Sequence, residues 1–445
     1  MKTEIEFVNH ASVIIRGKNI SILSDPWYKG DAFNKGWNLL TETNDDHVKV
    51  LLNKITHIWI SHEHPDHFSI LFFKKFSDLI IKRSIKILFQ KTNDKRVVRF
   101  LRKEGISCIE LPFNKSVSLD NKFAITCIKD GFYDSGLLLE NECEKILNLN
   151  DCEVTSINRV KEVLSITGTV DILLTQFSFA AWKGGISNKK WRNEAAKEKL
   201  NTMRMQIKYF APKIVIPFAS FIYFSNKDNF YLNDAANKPS DVEKTFKNSS
   251  SKIIFMKPGD IMGGKNEIIS NIGAINYWGE LYEKLPQRNL NSYKIIEERD
   301  LIEAFYKYCA RIAEKNNTKL MRLFRYFSPI SVFQPVVVEV TDLKCSYDID
   351  YITRKINKTN KACMLKMNSE VLLFLFKNSF GFDTMTVNGC FEEGTNGGFV
   401  HATKSLSIEN LNNLGLYFNL KLLINFRIIK LFLTRLYRVA RKLEE

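Results

Sequence analysis

Three histidines and an aspartate lie within six residues of this chain, at His62, His64, Asp66 and His67, directly after the largely apolar run 55–60. The whole sequence holds only seven histidines in 445 residues, so a grouping this dense is seldom a product of chance. Imidazole nitrogens and carboxylate oxygens are ligands for zinc, iron and manganese. Because an apolar strand followed by a ligand-bearing loop places these groups at a sheet edge, the segment predicts a metal site. Its spacing lets the first two histidines face one ion and the last two residues face a second.

Length and composition fit a folded protein of two domains. The 445 residues exceed one ordinary globular domain, and 45% hydrophobic with 26% charged residues is typical of a packed core with a solvated surface. A formal net charge of +16 predicts affinity for anions, although lysine is abundant throughout and the basicity could be compositional. The eight cysteines form no C-x-x-C pair, which favours a reducing cytoplasm as the location.

The two ends of the chain carry different patterns. Residues 1–7 alternate polar and apolar side chains and predict a first strand, in contrast to the apolar core of a signal peptide. Residues 414–443 are rich in Leu, Ile and Phe but are interrupted by Lys and Arg, which predicts a basic amphipathic helix. Such a helix either packs on its own domain or makes peripheral contact with an anionic membrane. No run of eighteen uncharged apolar residues supports a spanning helix.

Short strand-like runs alternate with helical patterns in the first part of the chain. The predicted strands are 4–7, 12–15, 20–23, 57–60, 85–89, 123–128, 136–139, 145–149, 171–175 and 213–216, and the predicted helices are 68–75, 95–104 and 193–210. From about residue 285 the pattern changes to a helix at 297–315, a strand at 336–340 and a helix at 369–377. We therefore expect an α/β fold, an αββα sandwich over 1–285, with a smaller α+β accessory domain over 286–445.

The H-x-H-x-D-H loop resembles the metal-binding signature of the metallo-β-lactamase superfamily. Segments 8–12 and 23–27 resemble the strand and turn ahead of that loop in the branch of ascorbate-6-phosphate lactonases, N-acyl-phosphatidylethanolamine phospholipase D and CMP-N-acetylneuraminate hydroxylases. Segments that resemble the hydroxylases in order and spacing are 33–40, 146–152, 216–221 and 381–388. The resemblance covers most of the chain and implies a metallo-β-lactamase sandwich.

The resemblance also implies a set of metal ligands. His62 and His64 would bind the first metal, Asp66 and His67 the second, and Asp151 would bridge them or complete the site. A bridging carboxylate makes physical sense, because its negative charge offsets the repulsion between two neighbouring cations. Without the resemblance, the Asn-Asp pair that ends at position 151 is also compatible with an ordinary turn, where these residue types are common.

Further roles follow from the same resemblance. Asp66 or Asp151 would serve as general base, and His10 would orient substrate or transfer a proton, unless it is a core histidine at a strand end. Asp25 would hold a metal-bound histidine by accepting its other ring N–H, or else is a turn aspartate before Pro26.

The chain departs from the superfamily pattern at two further ligand positions. Hydrolases of this superfamily carry two more histidines, whereas no histidine lies between His67 and His401 here. Cys127, Asp130 and Asp134 could replace the first, and residues 217–219 offer no replacement for the second. Fewer imidazoles and more carboxylates favour iron or manganese, so we expect one or two divalent ions, zinc or iron, with manganese also compatible.

The basic segment 183–204 could hold the acidic groups of a substrate. Lys183 and Arg204 are candidate phosphate or carboxylate ligands, and Trp182 could stack on a base or sugar ring. The alternatives are a solvated lysine-rich helix face and a core tryptophan. An anionic small molecule or glycan is therefore the expected partner, and nucleic acid is not, because the basic residues are dispersed.

Three functions remain open at this point. The first is a metal-dependent hydrolase of a phosphorylated, nucleotide-sugar or acidic-sugar substrate. The second is a non-haem iron oxygenase that modifies a sialic-acid-like nucleotide sugar. It would need a separate reductase, because the C-x-H and C-x-x-H pairs of a Rieske iron–sulfur cluster are not in the sequence. The third is a non-catalytic binding protein with a degenerate metal site.

Overall fold

The structure, a computed structural model, describes residues 3–131, 133–263, 270–328 and 331–423. The chain divides into two compact units, Met1–Ser292 and Tyr293–Glu445. The first unit extends past residue 285, where we expected the boundary. The residues after 285 belong to the first unit because they contact it. The guanidinium of Arg288 donates hydrogen bonds to the backbone carbonyls of Leu39 and Leu40.

The first unit contains two large sheets, a two-stranded ribbon and seven α-helices among its described residues. The strands are β1 (Glu4–Asn9), β2 (Ser12–Arg16), β3 (Ser21–Ser24), β4 (Trp37–Leu39), β5 (His57–Ile60), β6 (Lys86–Gln90), β7 (Cys108–Leu111), β8 (Ser116–Asp120), β9 (Phe123–Asp130), β10 (Asp134–Asn141), β11 (Lys145–Asn148), β12 (Ile172–Thr175), β13 (Ile214–Pro217), β14 (Ile222–Phe224), β15 (Lys252–Ile253) and β16 (Ile261–Gly263). The helices are α1 (Asp45–Leu52), α2 (Ile70–Lys82), α3 (Arg96–Lys103), α4 (Ile157–Thr167), α5 (Lys189–Phe210), α6 (Pro239–Thr245) and α7 (Ile272–Glu283), with short 3-10 helices at Phe230–Ala235 and Leu285–Gln287.

The two large sheets face each other across a shared core. One has the order β16-β1-β2-β3-β5-β6-β7 and the other β15-β13-β12-β11-β10-β9-β8. Along β5, Ile58 and Ile60 pack with apolar residues of α1, α2 and α3, whereas Trp59 joins the core formed by both sheets. Alternate side chains of one strand thus point to a helix layer and to the opposite sheet. The expected αββα sandwich is confirmed.

Parallel strands place their carboxyl ends at one edge of each sheet. In the first sheet β3, β5, β6 and β7 run parallel, and in the second β11, β12, β13 and β15 do. Asp25 follows β3, the loop 61–69 follows β5, and Asp151 and Gln176 lie just after β11 and β12. Because ligand sites form outside the carboxyl ends of parallel strands, these residues meet at one edge of the sandwich.

The second unit is a smaller α+β assembly, in agreement with the expected accessory domain. Its five-stranded sheet has the order β19-β18-β17-β20-β21. The strands are β17 (Val336–Val340), β18 (Cys345–Asp350), β19 (Lys355–Thr359), β20 (Leu365–Met367) and β21 (Glu392–Glu393). The helices are α8 (Glu298–Lys315), α9 (Thr318–Phe327), α10 (Ser369–Lys377), α11 (Gly381–Asn388), α12 (Gly398–Leu406), α13 (Ile408–Asn413) and α14 (Leu420–Leu423).

The amphipathic helix expected over 414–443 is only partly within the described structure. Residues 414–419 are not helical, α14 begins at Leu420, and residues 424–443 lie outside the described residues. Within the ranges that the structure describes, none of the helices has both the length and the apolar composition needed to cross a bilayer.

Candidate metal centre

The histidine loop is fixed at both ends by hydrogen bonds. At its start, the carbonyl oxygen of Ser61 accepts hydrogen bonds from Gln90 Nε2 at 2.9 Å and from Ser135 Oγ at 2.6 Å. At its end, the Ser69 hydroxyl caps α2 by accepting from the backbone N–H of Phe72 at 3.3 Å. A short turn between these anchors directs the imidazoles and the carboxylate of the loop toward the sheet edge, as the sequence pattern predicts.

Seven side chains converge there in three overlapping groups, each with donor atoms within 4.8 Å of one another. The groups are His62, His64 and Asp134; His62, His67 and Asp151; and His10, Asp66 and His67. The first and third groups share no residue, and the middle group links them. The arrangement is consistent with two adjacent metal positions, zinc or iron, that have Asp151 between them.

The separations between donor atoms are short enough for shared ions. His62 Nε2 lies 2.9 Å from His64 Nδ1 and 3.6 Å from Asp134 Oδ1. His67 Nε2 lies 3.1 Å from Asp66 Oδ2 and 3.4 Å from Asp151 Oδ1. On the far side, His10 Nε2 lies 3.6 Å from Asp66 Oδ2.

Buried polar atoms of this cluster fit a metal better than they fit each other. Both ring nitrogens of His10, Nε2 of His67 and Oδ1 of Asp66 are buried and have no hydrogen-bond partner among the described residues. Leaving a buried donor or acceptor unsatisfied costs about 1–3 kcal/mol, more for a charged group. Coordination of a divalent ion would satisfy these lone pairs, so the residues present fit the metal that the loop implies.

The electrostatics of the site also favour a cation. Burial lowers the pKa of His62 well below its usual value, with help from His67 and His64, so its lone pairs are available. Burial would raise the pKa of Asp151, but His67 and then His62 bring it down to about 2. His67 shows the reverse balance: burial opposes its protonation, but Asp66, Asp151 and Asp25 hold its pKa well above normal. The three carboxylates around His67 thus favour a positive charge at this position, which a metal ion would supply.

Asp25 contacts the histidine loop on the buried side and fixes the ring of His67. Its Oδ1 accepts the backbone N–H of Ser61 at 2.8 Å, its Oδ2 accepts from the Asn150 amide, and it lies 3.2 Å from Nδ1 of His67. This is the position expected of a carboxylate that fixes the ring of a metal-binding histidine. Burial raises the pKa of Asp25, which His67 and Ser61 counteract.

Four residues at the same edge have a strained backbone. His10, Asp25, Asn150 and Ala219 all have positive φ, at 30°, 36°, 49° and 52°, in a region that L residues seldom adopt. The backbone N–H of Ala219 donates to the carbonyl of His10 at 2.9 Å and helps to hold that turn. Such strain persists where the surrounding contacts require one particular side-chain position.

Two of the three expected replacement ligands lie elsewhere. Cys127 is buried in the core between the sheets, where burial raises its pKa to about 12. Asp130 is paired with Arg159, whose Nε donates to it at 2.8 Å. Only Asp134 joins the histidine loop, and it does so as the first residue of β10.

His10 lies away from the cavity. We expected it either to orient substrate or transfer a proton, or to be a core histidine at a strand end, and its ring is only 2% exposed and lies with Asp66 and His67. Its burial favours the second alternative, and its neighbours make it a candidate third donor for the second metal position. Residues 217–219 contribute no ligand, as expected from their sequence, and Ala219 instead supports His10 through its backbone.

A cavity of about 680 Å³ opens beside the metal residues. It exposes three candidate ligands, His64, Asp134 and Asp151, together with Gln176, Thr155, Phe179, Lys183, Lys199 and Met205. The predicted substrate residue Lys183 is in this cavity. Gln176 and Lys199 were not predicted from the sequence, although the position of Gln176 just after a parallel strand is a signal that could have identified it.

Trp182 and Arg204 do not line this cavity. Trp182 is 5% exposed and packs edge-on against Trp191, with 5.3 Å between the ring centroids. Arg204 lies over the ring of Phe246 at 5.6 Å and lines a separate cavity of about 470 Å³. The structure therefore does not bring these two predicted substrate residues to the metal centre.

Comparison with curated proteins finds relatives among hydroxylases, whereas no family model matches. Cytidine monophosphate-N-acetylneuraminic acid hydroxylase of Xenopus laevis is 26% identical over 280 residues, which cover 59% of this chain and 46% of the relative. The Mus musculus hydroxylase is 24% identical over 280 residues, covering 59% and 47%. The Homo sapiens protein, named as inactive, is 24% identical over 277 residues, covering 58% and 53%. The chain spans about half the length of these relatives.

Solved structures give weaker similarity. CmlA, a diiron β-hydroxylase from Streptomyces venezuelae, matches with a TM-score of 0.42 and 14% identity over 58% of this chain and 54% of that chain. Igni18, a metallo hydrolase from Ignicoccus hospitalis, matches with a TM-score of 0.41 and 14% identity over 60% of this chain and 100% of that chain. YhfI, a metallo-β-lactamase fold protein from Bacillus subtilis, matches with a TM-score of 0.38 and 12% identity over 59% of this chain and 99% of that chain.

The sheet order, the H-x-H-x-D-H loop at the edge of the first sheet and the aligned relatives all lead to one assignment. This chain has the metallo-β-lactamase fold and is distantly homologous to the cytidine monophosphate-N-acetylneuraminic acid hydroxylases over part of their length.

Proposed function

We propose that this protein is a metal-dependent hydrolase of an anionic substrate, a phosphorylated compound, a nucleotide sugar or an acidic sugar. The observation that carries the proposal is the pair of candidate ligand groups, His62–His64–Asp134 and His10–Asp66–His67. A third group, His62–His67–Asp151, links them beside a cavity that contains lysines. A bound divalent ion would supply Lewis acidity and lower the pKa of a bound water.

The protein's own residues prepare the site for this reaction. Asp151 lines the cavity and lies between the two metal positions, so it is the carboxylate best placed to accept a proton beside the substrate. Asp66, our other candidate base, is 2% exposed and faces His10 and His67, which suits a ligand better than a base. Lys183 stands on the cavity wall, where it can pair with a phosphate or carboxylate of the substrate.

A second candidate is an iron-dependent oxygenase that acts on a sialic-acid-like nucleotide sugar. Two observations favour it: the centre has carboxylates at Asp66, Asp134 and Asp151, which suit iron, and the curated relatives are hydroxylases. This reaction needs electrons from a separate reductase. The third alternative, a degenerate binding protein, loses support because Asp134 and His10 each add a potential donor atom to the groups formed by the histidine loop.

Metal content and oxygen dependence separate the two reactions. We would purify the protein without chelators, measure bound metals, and assay bis-p-nitrophenyl phosphate and CMP-N-acetylneuraminic acid with and without oxygen. A hydrolase releases product anaerobically, whereas product that forms only with iron and oxygen supports the oxygenase and refutes hydrolysis. A His62→Ala, His64→Ala double variant should lose both metal and turnover, and a variant that kept both would refute the site.

A further inference from the structure

We propose that Lys199 binds the anionic group of the substrate, a phosphate or a carboxylate, and that Gln176 couples Lys199 to the metal-bridging residue Asp151. This inference rests on the proposed function and names the side chains that recognise the substrate. It concerns two residues that neither the histidine motif nor the metal geometry assigns.

A continuous hydrogen-bonded chain links the cavity cation to the centre. Lys199, on α5, donates from Nζ to Oε1 of Gln176 at 2.7 Å. The Gln176 amide then donates from Nε2 to Oδ1 of Asp151 at 2.7 Å, with a second contact to the carbonyl of Ala219 at 3.4 Å.

The direction of this chain is fixed by what each group can do. A lysine ammonium has only donors, so it must face the amide oxygen of Gln176. The amide nitrogen is then forced toward Asp151, which as a carboxylate can only accept. Lys199 therefore sets the orientation of Gln176, and Gln176 sets the orientation of the carboxylate that lies between the two metal positions.

The electrostatic environment of Lys199 leaves room for an anionic ligand. Lys199 is half-buried on the cavity wall and makes no ion pair with a carboxylate within the part of the chain that the structure describes. Burial lowers its pKa, the charges of Asp151, Glu153 and Asp134 oppose that effect, and the charge of Lys183 adds to it. A substrate anion at Nζ would supply the missing counter-charge, and such charge-assisted hydrogen bonds are about twice as strong as neutral ones.

The rest of the cavity fits a ligand with one charged end. Lys183 is also half-buried, whereas the acidic residues Glu153 and Glu198 are exposed at the cavity rim. The loop that carries Lys183 is held by Arg192, which donates to the carbonyl of Gly185 at 2.5 Å. The two lysines are thus less exposed than the two glutamates, so an anionic group can pair with a partly desolvated ammonium group.

The other walls are less polar. Phe179, Ala180, Ala181 and Met205 line the same cavity. They provide apolar surface for the uncharged part of a ligand, such as a sugar or base ring. The substrate class that matches these walls is therefore a small organic acid or phosphate ester, held by its charged group at Lys199.

The test measures anion binding and does not require a known substrate. Protein loaded with Co²⁺ is titrated by calorimetry with inorganic phosphate in one arm and acetate in the other, which distinguishes phosphate from carboxylate recognition. Lys199→Met should weaken binding of the preferred anion at least tenfold, and Lys199→Arg should restore part of it. The control is Lys197→Met, an exposed lysine of the same helix outside the cavity, which should bind as the parent does.

The link through Gln176 has its own spectroscopic readout. Gln176→Leu should weaken Co²⁺ binding roughly 10–100-fold, the usual effect of removing a partner that orients a ligand. Its visible Co²⁺ absorption should shift, Lys199→Met should shift it in the same direction, and Lys197→Met should leave it unchanged. A purely structural role for Lys199 would change thermal stability without changing these bands.

The outcomes separate this inference from the proposed function. If Lys199→Met binds two Co²⁺ ions and binds the anion as tightly as the parent, the inference is overturned and the metal enzyme stands. If the parent binds neither anion while loaded with metal, the inference is also overturned. If the parent binds no metal, the proposed function falls and the inference falls with it.

Discussion

Replacing Asp134 by alanine tests whether a carboxylate completes the first metal position. The candidate donors at that position are His62, His64 and Asp134, and the group formed by His62, His67 and Asp151 links it to the second position. The substitution removes one donor and one negative charge but leaves the histidine loop intact. A substitution at Glu153, an exposed residue of the same cavity that belongs to none of the ligand groups, is the matched control.

The expected magnitude follows from the role of the residue. Loss of a partner that merely orients a ligand costs about 10–100-fold in metal affinity, so loss of a direct donor should cost at least about 100-fold. That factor corresponds to about 2.8 kcal/mol. Without metal, the substitution should not lower the free energy of unfolding. Burial raises the pKa of Asp134 to about 7, so the folded protein gains nothing from the ionised form of this carboxyl group. The metal-free variant should therefore be as stable as the parent or slightly more stable.

Two measurements check this expectation. Competition with a chromophoric chelator gives the affinity of each ion, and urea unfolding with and without saturating Zn²⁺ gives the stabilisation by metal. Asp134→Ala should retain one tight ion, lose the other, and show about 2.8 kcal/mol less metal-induced stabilisation. The reasoning is refuted if the variant binds two ions as tightly as the parent, or if it is equally destabilised with and without metal.

Three further substitutions test the second metal position, the carboxylate that orients His67, and an ion pair in the second unit. His10→Ala should lower the affinity of one ion at least about 100-fold, measured as metal retained after dialysis, and two retained ions would contradict its role as a donor. Asp25→Asn keeps the shape but removes the charge that faces His67, so calorimetry should show about 10–100-fold weaker metal binding, and unchanged affinity would count against the role. In the second unit, burial opposes ionisation of Asp350, but its two hydrogen bonds from Arg325, at 2.7 and 2.8 Å, lower its pKa. Asp350→Asn should cost about 2–3 kcal/mol at pH 7 in metal-free protein, and because a lowered carboxyl pKa stabilises only above the unfolded value, this difference should shrink below about pH 4. A difference in urea unfolding that does not change with pH would contradict the ion pair as its cause.

Local pattern was enough to predict the central elements of the fold. The strands His57–Ile60 and Val336–Val340 and the helix Ser369–Lys377 were predicted at their observed bounds, because each is an apolar run or helical period bounded by polar residues. The strand Ile261–Gly263 was not predicted. It is three residues long and exists through its pairing with the distant strand Glu4–Asn9, which no local window contains.

The candidate site likewise contains residues that the local sequence identifies and residues that only the fold brings together. The four ligands of the histidine loop are neighbours in sequence, so their spacing alone indicated a metal site. His10 and Gln176 reach the site by folding, from the hairpin of the first two strands and from the end of a strand in the other sheet. Their roles depend on which side chains surround them, and residue type and spacing cannot show that.

Asp130 and Asp134 show how the fold distinguishes two similar residues. They are four apart in sequence and stand directly opposite each other in the antiparallel pair that ends beside the histidine loop. Like charges in such a position repel, and Asp130 is one of the groups that raise the pKa of Asp134. Arg159 neutralises Asp130, whereas the nearest partners of Asp134 are His62 and His64. Asp130 is thus occupied by an arginine, whereas Asp134 faces imidazoles that could share a metal ion with it.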